Sequence, residues 1–263
     1  MNPFDHAVIT VGTRMDDAVA AFERLGFRVT ERGRHTLGSI NHLIVFETTY
    51  IELLGLPADR PDARPELRDA PAGLNALVFR SMDADATLAR ASARGATLGP
   101  VQQFSRPVRC DGVERDAVFR TVRAPADASP AGRLYFCQHL TPELVWQASS
   151  QGHANGANEL TGASVAVRDL EAEARLYRAL LGEQAVLAAP ESLRVSAPPV
   201  LIEVSRTNAA PAMRGLSLAV ADLDRAGATL TAAGVAFERG ADEIRVDPAS
   251  AWNVALRFVR QPA

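Results

Sequence analysis

The chain has 263 residues, with 28 basic against 31 acidic side chains and a net charge of −3. It therefore lacks the basic excess of a phosphate-neutralising surface, and nucleic acid is not an expected partner. Hydrophobic residues make up 47% and charged residues 22%, which excludes the composition of disorder and, at roughly 100–200 residues per domain, points to two compact domains.

Every positive side chain is an arginine. A lysine Schiff base, a P-loop lysine and a lysine general base are thereby excluded, and anion binding falls to the guanidinium fork. The opening Met1-Asn2-Pro3-Phe4-Asp5-His6 has neither the positive region nor the apolar stretch of a secretory signal, and apolar runs such as Leu43–Phe46 are strand-sized. No membrane partner is expected, and the cytoplasm is the expected compartment. Cys110 and Cys137 form no C-x-x-C pair and carry no activating signature, so inert thiols are expected.

Four segments repeat one order: a short apolar strand, an acidic helix start, an alanine-rich helix ending at glycine, then further strands. Asp5–Val11 reads as the first strand, and Met15, Val19 and Phe22 then share a helical face that ends at Gly26. Thr13 and Asp16 stand where a helix cap and its partner belong. The second copy begins at Leu74–Phe79, continues through a helix from Asp83 to Arg94 closed by Gly95, and adds strands at Val101–Arg106, Ala117–Val122 and Arg133–His139. In the third, Ala163–Val167 precedes a helix carrying Leu170, Ala174, Tyr177 and Leu181 before Gly182, and Val200–Val204 is the last strand. The fourth runs from Leu216–Val220 through a helix over Asp222–Ala233 and Gly234 to a strand at Asn253–Phe258.

Residues 148–159 are small, polar and aperiodic, and read as a linker between a first domain at 1–147 and a second at 160–263. The expected fold class is α+β, with four tandem βαβββ modules. Each module pair needs a partner to bury the helix side of its sheet.

Tandem βαβββ modules, a strand-borne histidine near the start, Leu37-Gly38-Ser39-Ile40-Asn41-His42, the strand Tyr50-Ile51-Glu52-Leu53-Leu54-Gly55, and Phe136-Cys137-Gln138-His139-Leu140-Thr141-Pro142-Glu143 together resemble the vicinal oxygen chelate superfamily, in its glyoxalase-like branch. The resemblance implies two open-barrel domains of the glyoxalase/dioxygenase kind, each module's first and last strands lying side by side. It also implies a divalent metal, Fe, Mn or Zn, on the concave face of the first domain.

Carried over by position, His6 matches the first-strand ligand and Glu52 the last-strand carboxylate. The second module departs, offering Asn75 or Ala76 where histidine or glutamine is usual, and His139 in its last strand, or Gln138 if the register slips by one. Strand alternation places Tyr135, Cys137 and His139 on one face. With His139 inward, His6, Glu52 and His139 make a two-histidine, one-carboxylate set.

Asn41, preferred to His42 on the opposite face, and Asn75 are expected polar contacts for a small-molecule substrate. Tyr50, Tyr135 and Phe104 are expected to stack on it, and Arg106, with Arg109, to clamp an anion. The second domain offers Gly162 or Ser164, Ser217 and a lone Glu203 at the corresponding positions and reads as a degenerate copy. The function implied is a metal-dependent lyase or isomerase, or a dioxygenase, acting on a small oxygen-bearing substrate. The alternative is a metal-free protein that binds or sequesters a small molecule. A homodimer is compatible with either.

Overall fold

Four βαβββ modules follow one another along the computed structural model, which describes residues 2–261. The first contains β1 (Phe4–Gly12), α1 (Met15–Arg24), β2 (Gly33–Arg34), β3 (Ile40–Val45) and β4 (Tyr50–Gly55). A single turn, α2 (Pro65–Arg68), leads to the second: β5 (Gly73–Arg80), α3 (Ala84–Ala93), β6 (Gln102–Cys110), β7 (Val113–Arg123) and β8 (Arg133–His139). The third contains β9 (Ala157–Val167), α4 (Leu170–Leu181), β10 (Val186–Ala189), β11 (Ser192–Ala197) and β12 (Val200–Arg206). The fourth contains β13 (Ala212–Val220), α5 (Leu223–Ala232), β14 (Phe237–Arg239), β15 (Glu243–Val246) and β16 (Ala255–Arg260). Among the described residues no helix is long and apolar enough to cross a membrane.

Asp83, Asp169 and Asp222 cap α3, α4 and α5, each side chain accepting from a backbone N–H of the first turn, a contribution of about 1 kcal/mol apiece. The first helix differs from expectation. Arg14 stands at its N-cap without a side-chain bond, and Asp16 pairs with Arg32 instead of completing a cap with Thr13. The strands β6 and β7 run several residues beyond the apolar alternation that marked them. Asp111 and Gly112 both take positive φ and close a tight hairpin, which pairs the polar residues on either side, Cys110 opposite Val113 and Arg109 opposite Glu114.

Each module pair forms one eight-stranded sheet, in the orders β2-β3-β4-β1-β5-β8-β7-β6 and β10-β11-β12-β9-β13-β16-β15-β14. In the first sheet β1 and β5 lie antiparallel at the centre, each flanked by the parallel last strand of its own module. The edges nearly meet: Thr36 N–H, just past β2, donates to the Ser105 carbonyl of β6 at 2.9 Å. The strand β1 is buried along almost its whole length, as expected for apolar residues covered on both faces.

The helix sides of the two sheets bury one another in a shared core. Phe27 stacks on Phe258 with centroids 6.0 Å apart, and Tyr177 of α4 meets Phe79 edge-on. Arg94, just past α3, donates to the Ala179 and Leu180 carbonyls near the end of α4, where backbone acceptors are left free. The segment read as a linker is docked against this core, and β9 already begins at Ala157 within it. Asn155 donates to the Leu25 carbonyl at 2.9 Å, and Glu159 accepts from Thr48 and Thr49. Its buried polar residues have partners in the first domain, which composition could not show.

Glu173 of α4 is buried in the same region and accepts from the Ser129 hydroxyl at 3.0 Å. Burial pushes its carboxyl up to about 7, against the opposing effect of the Ser129 hydrogen bond. The folded state therefore holds a proton that the unfolded chain releases, so this residue's contribution to stability is lost as pH rises from the ordinary glutamate range through about 7. Glu173→Gln is expected to remove that loss, improving on wild type by up to about 3 kcal/mol on going from about pH 5 to about pH 8. Urea denaturation of both proteins at the two pH values checks it.

Candidate active site

The concave face of the first sheet holds a narrow cavity, lined from β1, β3 and β4 of one module and β6, β7 and β8 of the next. His6, His35, Asn41, Glu52, Tyr50 and Tyr135 lie on it, together with four arginines, Arg64, Arg106, Arg123 and Arg133. Glycine at position 33 lets the two edges approach, because a Cβ there would lie within 3 Å of the Asn41 side chain and the Arg106 Cδ.

Asp5 anchors the back of the site. The β1–β5 ladder pairs Phe4 with Phe79 and His6 with Val78, leaving Asp5 as the extra residue of a bulge. Strict alternation would separate neighbouring side chains, and the bulge brings them together. The Asp5 Oδ2 accepts from His6 Nδ1 at 2.7 Å and from His139 Nε2 at 2.8 Å, while Oδ1 accepts from Arg80 Nε at 2.7 Å. Burial works against ionisation of Asp5, but His139 and His6 hold its carboxyl far below the usual range. An ionised carboxylate only accepts, so both ring nitrogens that meet it are N–H donors.

The His6 ring stacks on Tyr50, with centroids 4.3 Å apart, which leaves Nε2 directed at Glu52 Oε2 across 3.8 Å. That gap exceeds a hydrogen bond. On the other side, His35 Nε2 lies 3.8 Å from Glu52 Oε1, its Nδ1 meeting the Ser39 hydroxyl at 2.9 Å. Asn41 Nδ2 donates to Oε1 at 2.8 Å. Burial again opposes ionisation of Glu52, and His35, His6, Asn41 and Arg106 outweigh it, holding the carboxyl below its ordinary value. Burial, with the arginines, holds His35 down at about 4, so its imidazole is neutral near pH 7.

The expected residues separate into two groups. Asn41, Tyr50, Tyr135 and Arg106 line the cavity beside His6 and Glu52. His139 and Glu52, however, lie on opposite sides of His6. The β1–β4 ladder pairs Val8 with Glu52, while β8 runs past Cys137 towards the opposite end of β1, where its His139 reaches Asp5. Among the described residues, the three potential ligand groups found together are Asp5, His6 and His139. Their mutual hydrogen bonds already use the nitrogens that meet there, so Asp5 is a hydrogen-bonding hub. Asn75 accepts from Arg133 Nε at 2.9 Å and orients that guanidinium. Arg109 is exposed on an outer groove. Burial pushes the Cys137 thiol up, leaving it unreactive. Residues missed by sequence reasoning are Asp5, His35, Arg123 and Arg133.

A family model described as a glyoxalase-like domain matches residues 4–181, more than half of the chain. The chain belongs to that family. Among solved structures, a hypothetical protein from Staphylococcus aureus is similar over 99% of this chain and 100% of its own, at 10% identity and a TM-score of 0.76. A xylose isomerase-like TIM barrel/4-hydroxyphenylpyruvate dioxygenase fusion protein matches 100% of this chain with 49% of its own, at 15% identity and TM-score 0.66. A mutant of 4-hydroxymandelate synthase from Streptomyces coelicolor matches over 99% and 93%, at 16% identity and TM-score 0.60. At these identities the likeness shows the fold, that of the vicinal oxygen chelate proteins. No curated protein matched the chain.

On the second sheet a pocket is lined among others by Gly162, Ser164, Ser217 and Glu203. Glu203 is exposed there.

Proposed function

We propose that the N-terminal domain is the catalytic half of an enzyme that takes up a small oxygen-bearing substrate and moves a proton beside its carbonyl, as a lyase or isomerase. The observation that carries this reading is the buried Asp5–His6 pair at 2.7 Å, with the His6 Nε2 turned into the cavity. Accepting from Nδ1–H, Asp5 selects the tautomer whose Nε2 bears a lone pair. In the proposed step Nε2 takes the proton from the carbon next to the carbonyl, and the electron pair of that C–H bond shifts to give an enolate oxygen. Guanidinium N–H groups of the cavity stabilise that oxygen. Where the deprotonated carbon also carries a hydroxyl, that hydroxyl proton passes to the enolate oxygen, the carbon-bound proton returns to the former carbonyl carbon and a new carbonyl forms, completing an isomerisation; where the next carbon carries a leaving group, collapse of the enolate to the carbonyl expels it with its electron pair, completing an elimination. Glu52, held ionised, is the weaker base and orients the substrate.

One observation favours a metal-dependent reading, either lyase or dioxygenase. Two histidine Nε2 atoms face the two oxygens of one carboxylate at 3.8 Å, and both rings have their Nδ1 held. The donor types suit a divalent Fe, Mn or Zn ion, which His6, His35 and Glu52 would hold. Bound there, such an ion supplies Lewis-acid or dioxygen chemistry. The surrounding arginines oppose a bare cation, so ion and anionic ligand should favour each other's binding.

Elemental analysis of protein purified without chelator, beside His6→Ala, Glu52→Gln, His35→Ala and His139→Ala, separates the readings. A metal-free wild type that exchanges solvent deuterium into a carbonyl probe such as pyruvate supports proton transfer by His6. Near-stoichiometric metal, lost in the first three variants and kept in His139→Ala, supports the metal reading. Neither metal nor exchange leaves the sequestration alternative in place.

A further inference from the structure

We infer that the ligand of the cavity carries an oxyanion, a carboxylate or a phosphate, bound by Arg106, Arg123 and Arg133. The inference rests on the reading that this cavity is the reaction site and names the substrate class. Five of the eleven buried side-chain polar atoms without a partner among the described residues line this one cavity: Arg106 Nε, Arg123 Nε, Arg133 Nη2, Thr121 Oγ1 and Asn41 Oδ1. Four of the five belong to groups that donate hydrogen bonds.

The contrast with other arginines of the chain is informative. Arg80 is paired with Asp5 and Arg64 with Glu66, each within 2.8 Å. Among the described residues none of Arg106, Arg123 and Arg133 has a carboxylate within 4.0 Å, although Arg106 is only 5% exposed. A buried cation without a partner is costly. Arg106 is such a cation, and the half-buried Arg123 and Arg133 add to the same cavity one buried guanidinium nitrogen each without a partner, so the three make a built receptor for negative charge whose planar forks suit carboxylate and phosphate alike.

The receptor is also oriented. Arg133 is aimed by Asn75, and Arg123 lies over the Tyr135 ring, 5.5 Å from its centroid. These groups stand on β6, β7 and β8, whereas Glu52 and His6 stand on β4 and β1. The lone carboxylate repels an anion, so the oxyanion sits at the arginine end and the remainder of the molecule extends towards His6. Outside the cavity a second groove shares Leu43 and Arg106 with it and carries Arg28, Arg32 and Arg109. Arg32 there is paired with Asp16 and the groove also carries Glu31, so Arg28 and Arg109 supply its positive charge next to Arg106.

The test is calorimetric titration and thermal denaturation of the whole chain with inorganic phosphate, pyruvate and malonate, the ionic strength matched with chloride. Saturable binding of at least one anion and a rise in melting temperature are expected, with affinity falling at least tenfold in Arg106→Met, Arg123→Met and Arg133→Met and holding in Arg109→Met. The relative affinity of phosphate and the carboxylates shows which oxyanion the site selects. Each methionine variant removes a guanidinium that has no carboxylate partner and is expected to melt close to wild type without ligand, so a loss of binding is not a loss of fold. Absence of binding by all three anions, or binding that survives in all three cavity variants, overturns the inference. If no anion binds while metal or deuterium exchange is found, the inference fails and the proposed function stands. Anion binding with neither metal nor exchange does the opposite, upholding the oxyanion site and removing the proposed reaction.

Discussion

Asp5→Ala is expected to destabilise the protein by about 3–5 kcal/mol, the loss typical of removing one partner from a buried charged network. The carboxylate is fully buried and receives His6, His139 and Arg80 at 2.7–2.8 Å. Its removal leaves two ring N–H groups and the Arg80 Nε–H without this acceptor, while Arg80 Nη2 keeps the Thr48 carbonyl. Asp5→Asn keeps the volume and one acceptor and should cost less. What it loses is control of the tautomer, because an amide N–H facing His6 Nδ1 forces the proton onto Nε2. Urea denaturation measures the first effect. Nitrogen NMR of the His6 ring measures the second without any substrate, and an unchanged tautomer in Asp5→Asn would show that Asp5 does not set it.

The order of strands and helices was legible because it rests on local signals. Apolar alternation in β1 and β4, the helical face of Met15 and Phe22, and the glycines after the helices each act within a few residues. The hairpin of β6 and β7 outran its apolar pattern because a turn at Asp111-Gly112 propagates pairing through polar residues. His6 and Glu52 were legible because they match ligand positions of the resembled superfamily, Glu52 also as a carboxylate in an otherwise apolar strand. Asp5 stands next to His6 in the same strand, where strict alternation points neighbours to opposite faces, and a bulge leaves no signature in one sequence. His35 stands in a loop whose path is set by β2 meeting β6, a contact between segments some seventy residues apart. Arg123 and Arg133 were hidden by number, since 28 arginines make any one of them uninformative. What sets them apart is one buried nitrogen each without a partner on a shared cavity.

His6→Gln is expected to lower turnover by about 10²–10⁴-fold, the usual contribution of a positioned general base, with KM changed only a few-fold. The amide fills much of the volume of the imidazole and can still donate to Asp5, but it presents no basic nitrogen to the cavity. His139→Gln supplies the contrast. Its ring packs against Tyr50, Phe119 and Trp146 and touches Asp5 from behind. Substitution there should reduce stability by about 1–3 kcal/mol through a lost charge-assisted hydrogen bond, while turnover falls far less than in His6→Gln. The two histidines share one carboxylate, so stability alone cannot tell them apart, and the ratio of their effects on kcat can. Equal losses of kcat in the two variants would move the chemistry from His6 to the Asp5 hub, and full turnover in His6→Gln would remove His6 from the reaction.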